Sequence, residues 1–246
     1  MDFFEIIMSN NPSKLLLENK DIVSIVIPEM TANFGFAQKN KYQQYDVYSH
    51  IAYSVGFIEK DLTLRLTMFF HDIGKAYAFL ESVNGTRNFA GHKNISLMLT
   101  ERILKRIGVD NETSENVLLL IENHDIEFNG SEKQIKKLYQ KIGEANMRNL
   151  FKVIIADCLA KSDFKRDEKL ASVEKASSQF ENMVRSQKKF SISSLAVSGK
   201  DLLQVGFKQG KEIGNILRTL LEEVQSKKIQ NNKEILLSRA LSLTVI

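Results

Sequence analysis

The amino-acid sequence predicts an all-α fold with one short β-hairpin, on three grounds. Apolar residues recur at intervals of three and four along most of the 246 residues, which is the spacing of one helix face. Two prolines and twelve glycines are few, whereas a loop-rich all-β protein needs many turns. The segment 78–89 departs from helical spacing, and its Asn84-Gly85 pair is the strongest local signal of a hairpin.

The helices on either side of this hairpin follow from the apolar periodicity. Two are expected before it, at 46–59 and 62–71. Four are expected after it, at 93–107, 112–124, 132–142 and 145–162. From about residue 163 the chain becomes strongly charged, and we expect further helices at 163–188, 210–226 and 232–242.

Local residues define several helix ends. Ser131 and Gln134 have the spacing of a capping box at the start of helix 132–142. Gly143 and Gly108 are placed to end helices in left-handed turns.

Composition excludes several classes of protein. With 43% hydrophobic and 26% charged residues, the chain is typical of a globular protein rather than a disordered one. It contains no apolar run of membrane-spanning length, and its acidic start lacks the basic region of a signal peptide, so we expect a cytoplasmic protein without a membrane partner. The single cysteine, Cys158, excludes an intramolecular disulfide and is expected to be a small buried hydrophobe.

Charge is distributed unevenly along the chain. Residues 1–164 carry 19 Lys/Arg against 21 Asp/Glu, whereas residues 165–246 carry 15 against 9, a net charge of +6. Such asymmetry is found in segments that face nucleic acid, but it is also found on ordinary solvated helices. Charge alone leaves both interpretations open.

The histidines predict a metal centre. All four lie within one 75-residue stretch: His50, His71, His92 and His124. Histidine is the commonest ligand for transition metals in proteins. A lone histidine on an apolar helix face is more often a hydrogen-bonded core residue, but four such residues on four elements favour a shared site.

Two aspartates accompany these histidines in apolar surroundings. Asp72 directly follows His71 at the end of an apolar helix. Asp157 lies within the apolar run 153–160, where an unpaired carboxylate would cost several kcal/mol. Its nearest positive neighbours, Lys152 and Lys161, would have to turn away from solvent to pair with it, so a metal ion is the simpler expectation.

The order of these residues resembles the H…HD…D signature of the HD phosphohydrolase superfamily. The resemblance implies an HD-domain helical bundle in which one divalent ion is held by His50, His71, Asp72 and Asp157. It also implies that Asp72 bridges to a second ion held by His92 and His124, the positions of the extra histidines in two-metal members. Phosphoester hydrolysis is the activity that this resemblance predicts.

The ligand types indicate which ions and helpers to expect. Mixed imidazole and carboxylate ligands suit one or two ions of Mn, Fe, Ni, Co or Zn, with Mg a further option. Lys75, three residues after Asp72, is expected to neutralise a phosphate oxygen as a catalytic cation. Asp125 is either an acceptor that orients His124 or a plain surface carboxylate.

The flanking sequence resembles the body and tail of bacterial tRNA nucleotidyltransferases, the CCA-adding enzymes. The matching segments are 25–30, Gln38, 45–50, 91–93, 195–202 and 206–214. The resemblance implies three regions: a helical body segment 1–45 that packs on an HD domain, the HD domain 46–165, and a helical, basic C-terminal tail 166–246. It also implies contact with tRNA or another RNA, for which Lys200, Lys208 and Lys211 are the candidates.

The nucleotide-adding head of that family has no counterpart here. Such a head carries a Gly-Ser pair and an Asp-x-Asp cluster, and the residues that precede His50 contain neither. We therefore expect no nucleotide addition by this chain alone. The leading hypothesis is a metal-dependent phosphatase or 2′,3′-cyclic phosphodiesterase acting on a nucleotide or RNA-terminal phosphate. The alternatives are a non-catalytic tRNA- or RNA-binding module, which could partner a separate nucleotidyltransferase head, and a small-molecule nucleotidase.

Overall fold

The computed structural model describes residues 1–189 and 191–243, and it confirms an all-α fold with a short hairpin. The chain divides into two compact units, Met1–Ser178 and Gln179–Ile246. None of the helices in the described part of the chain combines the length and the apolar character needed to cross a membrane. The predicted region boundaries at 45/46 and 165/166 stay predictions.

The first unit begins with short helices and continues with longer ones. Its elements are α1 (Phe3–Ile7), α2 (Pro12–Glu18), α3 (Lys20–Val26), α4 (Val47–Phe57), α5 (Leu62–Phe70), β1 (Leu80–Glu81), β2 (Arg87–Asn88), α6 (His92–Arg106), α7 (Asn111–Asn123) and α8 (Glu132–Leu159). Helix α9 (Arg166–Lys189) runs from this unit into the next. The later helices are α10 (Gly199–Gln204), α11 (Lys211–Gln225) and α12 (Lys233–Ser242).

Aspartate caps start the three helices that lead to the histidine-rich region. The side chains of Asp46, Asp61 and Asp110 each accept a hydrogen bond from the backbone N–H three residues later, at the beginnings of α4, α5 and α7. Such a bond satisfies one of the free N–H groups of a helix start and contributes about 1 kcal/mol. These caps fix where each of the three helices begins.

The predicted capping box at Ser131 is wrong. Ser131 precedes α8 but makes no side-chain cap. The Gln134 side chain instead accepts from the Asn129 N–H and donates to the Glu127 carbonyl, because the preceding loop folds back over it. Gly143, with a φ of 79°, does break the helical backbone, so the two predicted helices form α8 with a kink between them.

The core of the first unit surrounds α5. This helix packs against α4, α7 and α8, and residues 64–73 are all buried. Phe3 of α1 lies edge-on to Phe69 at 5.1 Å between ring centroids, and the Tyr48 hydroxyl donates to the Leu16 carbonyl. The N-terminal helices therefore complete the core around α5.

The hairpin is a small antiparallel pair in which Leu80 is paired with Asn88 and Glu81 with Arg87. Gly85 occupies the left-handed turn position that the Asn-Gly pair predicts. Cys158 is free and buried, as expected.

The second unit has a separate, smaller core. Its buried members are Leu195, Val197, Leu202, Phe207, Ile216, Leu217, Leu220, Leu236 and Ala240. The Ser198–Asp201 capping box starts α10 and orders the chain that leads into this core.

Candidate metal centre

The structure brings all six predicted metal ligands together from five helices. Three of them occupy helix ends: His71 caps the end of α5, His124 caps the end of α7, and His92 is the first residue of α6. The others are His50 within α4, Asp72 directly after α5 and Asp157 near the end of α8. We call these six residues the histidine–aspartate centre. All of them are buried except His92, which is partly accessible.

The first group of possible ligands is compact. Asp72 Oδ2 lies 3.2 Å from both His50 Nε2 and His71 Nε2. Asp157 Oδ1 lies 3.2 Å from His50 Nε2 and 3.5 Å from His71 Nε2. Each of these four residues offers one atom, and all four atoms lie within 4.8 Å of one another. Such a set could hold one metal ion.

A second group shares Asp72 with the first. Asp72 turns its other oxygen, Oδ1, toward His92 Nε2 at 3.3 Å. His124 completes this group, whose ligand atoms also lie within 4.8 Å of one another. Asp72 is therefore common to both groups, and its predicted role as a bridge between two ions stays a prediction.

The protons of the histidine rings point away from the centre. Each Nδ1 faces a backbone carbonyl, and because a carbonyl can only accept, each Nδ1 donates. The acceptors are Ala160 at 3.3 Å for His50, Met68 at 2.7 Å for His71, Phe89 at 2.8 Å for His92 and Ile121 at 2.7 Å for His124. In a neutral ring this leaves a lone pair on Nε2, the atom that faces the other ligands. Such outer hydrogen bonds are the usual way that metal-binding histidines are oriented.

Asp157 provides the sharpest test of whether a cation fits. Its Oδ2 accepts from Lys161 at 2.5 Å, but its buried Oδ1 has no hydrogen-bond partner among the described residues. The nearby Nε2 of His50 carries a lone pair when that ring is neutral, so two acceptors then face each other at 3.2 Å. A bound divalent cation would satisfy both atoms, so the donor set fits a metal ion.

The Lys161 pair corrects one step of the sequence argument. Asp157 does have a positively charged partner, since Lys161 lies one helical turn later and reaches back to it. Lys152 instead pairs with Glu59 on the surface. The pair neutralises one side of the carboxylate and leaves the other side facing the histidines.

The electrostatics of the centre favour positive charge. Burial lowers the pKa of His71, but the Asp72 and Asp157 carboxylates outweigh it and raise that pKa to about 9. Burial would raise the pKa of Asp72, yet the positive His71 and Lys75 hold it well below its usual range. The pKa of His124 is lowered to about 4 by burial and then by the charge of His71. The two carboxylates therefore retain their charge and attract a cation.

Lys75 lies against the centre. It is buried, and its Nζ donates to Asp72 Oδ2 at 2.6 Å and to Gln38 Oε1 at 2.8 Å. Gln38 was notable in the sequence only through the family resemblance. Buried Asn33, which no sequence pattern indicated, holds the same turn by donating to the Ile73 carbonyl.

Gly74 is required for space. Its φ of −76° is available to any residue, so it is not needed for a left-handed turn. A Cβ at this position would lie 2.4 Å from the His92 carbonyl oxygen and 2.7 Å from the Ser96 backbone nitrogen. The turn after Asp72 therefore packs directly on the first turn of α6, which brings His92 to Asp72.

Asp125 does not orient His124. Its carboxylate pairs with Lys93 at 2.8 Å on the surface, and the Ile121 carbonyl fixes the His124 ring instead. His92, Lys75, Lys93 and Asp125 line a cavity of about 470 Å³ beside the second ligand group. This is where a substrate could approach the centre.

The three candidate RNA-binding lysines belong to the second unit. Lys200 is in the short helix α10, Lys208 is in the following loop, and Lys211 starts α11. All three side chains are exposed, and none has an ion-pair partner within the described ranges. This exposure is compatible both with RNA contact and with ordinary solvation.

Comparison with protein families identifies one relationship. The family model described as "tRNA nucleotidyltransferase domain 2 putative" matches residues 94–240. The matched range contains His124, Asp157 and the three lysines, whereas the other four residues of the centre precede it. Among curated proteins, none matches the chain.

Proposed function

This chain belongs to the tRNA nucleotidyltransferase domain 2 family, and from that premise we propose that its histidine–aspartate centre is the active site of a metal-dependent phosphohydrolase. The proposed substrate is the phosphoester of a nucleotide or of an RNA terminus. One observation carries the proposal: six possible ligands converge, and the four Nδ1 atoms donate to backbone carbonyls elsewhere.

The two ligand groups indicate how metal ions would be held. His50, His71, Asp72 and Asp157 would hold one ion, and Asp72, His92 and His124 a second. When bound, such ions supply Lewis-acid chemistry and a water molecule of lowered pKa. The mixture of imidazole and carboxylate favours Mn, Fe, Ni, Co or Zn.

Lys75 has two roles in this proposal. It orients Asp72, the residue shared by both groups, through the 2.6 Å contact. Its ammonium has three donors, of which Asp72 and Gln38 occupy two. The third N–H is available to a phosphate oxygen in the 470 Å³ cavity, which Lys75 lines together with His92.

The test combines metal content with turnover. Purified protein is loaded with Mn, Ni or Co and assayed on an aryl phosphate, nucleoside monophosphates and 2′,3′-cyclic nucleotides. Asp72→Asn keeps the side-chain volume but removes the charge, so we expect it to lower metal content and to reduce turnover by more than about 100-fold, since even outer-shell changes cost 10–100-fold. Asp21→Asn is the matched control, because that carboxylate is exposed on α3 and is not among the residues that line the 470 Å³ cavity.

Two outcomes would contradict the proposal. One is a metal-loaded wild-type protein without turnover across the whole panel. The other is equal turnover by Asp72→Asn and Asp21→Asn. Circular dichroism of both variants checks that each remains folded.

A non-catalytic RNA-binding module is the second candidate. The family relationship covers most of the basic tail and favours this candidate, and the exposure of the three lysines is compatible with it. It predicts salt-dependent RNA binding that survives the loss of the metal ligands.

A further inference from the structure

A second cavity of the first unit lies beside the histidine–aspartate centre, and none of the six residues lines it. Its volume is about 770 Å³, within the range of small-molecule sites. Lys161 connects the two, since it lines the cavity and donates to Asp157. We call this space the basic cavity.

The charge of its wall favours an anion. Five cationic side chains line it, against two carboxylates, Glu127 and Glu168; the cations are Arg87, Lys161, Lys165, Arg166 and Lys169. The Lys169 side chain makes no hydrogen bond or ion pair in the part of the chain that the structure describes. Burial and then the neighbouring charge of Lys161 lower the pKa of Lys169. The buried Nε of Arg166 is also without a hydrogen-bond partner among those residues.

Aromatic rings form the other part of the wall. Tyr42 and Phe164 lie edge to face with ring centroids 5.1 Å apart, and both are largely exposed. Phe128 and Phe89 line the cavity from the inside. Lys41 Nζ lies over one face of the Phe164 ring, 4.3 Å from its centroid. Aromatic rings next to cations are the combination that binds a nucleobase together with its phosphate.

We propose that the basic cavity is the nucleotide-binding site, in which a base stacks on Phe164 and Tyr42 while a phosphate contacts Lys169 and Lys161. The inference rests on the proposed function: Asn88 and Phe89 line both this cavity and the 470 Å³ cavity, so a nucleotide held here can extend the phosphoester that reacts toward Lys75. A free mononucleotide and the end of an RNA strand carry the same chemistry, so both are probes for the site.

Binding to metal-free protein tests the cavity without reference to hydrolysis. Protein treated with a chelator is titrated calorimetrically with AMP, with a short RNA that carries a 3′-phosphate, and with inorganic phosphate. We expect AMP or the RNA to bind, and inorganic phosphate to bind much more weakly. The tighter of the two probes identifies the source of the nucleotide.

Substitutions of residues that line the basic cavity, each with a matched control elsewhere, test whether these residues bind the nucleotide. Phe164→Ala should weaken binding about tenfold, the effect expected for one stacked base. Lys169→Ala should weaken it about fivefold, and this difference should shrink as salt is added. The controls are Phe57→Ala, which changes an exposed ring at the end of α4, and Lys175→Ala, which changes an exposed lysine later on α9.

Three results would overturn the inference: no binding of either nucleotide probe, phosphate binding as tight as that of AMP, or equal affinities of the two wall variants and their controls. If the wild-type protein hydrolyses a phosphoester but Phe164→Ala and Lys169→Ala bind the nucleotide probes as tightly as the wild type, the cavity site is overturned. The proposed hydrolysis would then still stand. Binding that depends on the wall, without any turnover, would support the cavity site and remove the proposed hydrolysis.

Discussion

The two units differ in the burial and pairing of the polar side chains that are candidates for function. In Met1–Ser178, the histidine–aspartate centre is almost entirely enclosed, and backbone carbonyls or lysines hold most of its polar atoms. In Gln179–Ile246, the functional candidates Lys200, Lys208 and Lys211 lie on the surface without ion-pair partners in the described ranges. A buried polar group needs a partner for each atom, whereas an exposed lysine is satisfied by water. The structure therefore constrains the centre much more tightly than it constrains the tail.

The comparison has a consequence for stability. Because the centre is enclosed, changes in its charge should alter the free energy of unfolding. The second unit contains no histidine and only a small core, so it should not respond to the same conditions. The predictions below test this difference, from the largest expected effect to the smallest.

Raising the pH should destabilise the metal-free first unit. The folded protein raises the pKa of His71 from 6.5 to about 9. Protonation of His71 therefore stabilises the fold fully below pH 6.5, and this stabilisation is lost as the pH rises through 9. The shift corresponds to about 3 kcal/mol. Urea unfolding in a chelator at pH 6.5 and pH 9 measures the change.

His71→Gln is the control for this pH effect. It removes the titrating ring, so most of the difference between the two pH values should disappear. If the unfolding free energy of His71→Gln still differs between pH 6.5 and pH 9 as much as that of the wild type, other groups cause the pH effect. The contrast between the two units would then be lost.

Alanine at two glycines should have opposite effects in the two units. Gly74→Ala places a Cβ against the backbone of α6, so we expect a loss of about 2 kcal/mol of unfolding free energy. Gly214→Ala lies within α11 and has only the Arg218 side chain nearby, so we expect a gain of about 0.5–1 kcal/mol. Urea unfolding monitored by circular dichroism measures both. Equal effects would contradict the close packing at Gly74.

Removing the three tail lysines should weaken RNA binding without affecting the centre. The triple variant Lys200→Ala, Lys208→Ala and Lys211→Ala should reduce affinity about tenfold. It should also flatten the dependence of log affinity on log salt by about two to three units. Metal content should stay unchanged. Filter binding with a tRNA at several salt concentrations tests this, and an unchanged salt slope would assign the three lysines to ordinary solvated surface.

The sequence predicted the helices well because each one buries a face. The spacing of apolar residues gave α4 to α8 to within a few residues, and the Asn84-Gly85 pair gave the hairpin. The assembly of the six residues of the centre also followed from the sequence, through the clustering of four histidines with two aspartates in apolar segments and through the resemblance to the H…HD…D signature. Their role as metal ligands stays a prediction.

What the sequence could not give are contacts made by backbone atoms and by residues distant along the chain. No pattern indicated that the Ile121 carbonyl, rather than Asp125, would orient His124. The space required at Gly74 depends on where α6 packs, which local sequence does not specify. The failed cap at Ser131 shows the same limit, because the loop before it supplied competing hydrogen bonds.

The two buried amides of the N-terminal segment determine how far the chain can be shortened. Asn33 holds the Ile73 carbonyl and Gln38 holds the Lys75 ammonium. A chain that started at residue 46 would keep all six residues of the centre but would lose both of these partners. The smallest piece that holds the centre in this arrangement is therefore larger than the segment that contains its six residues.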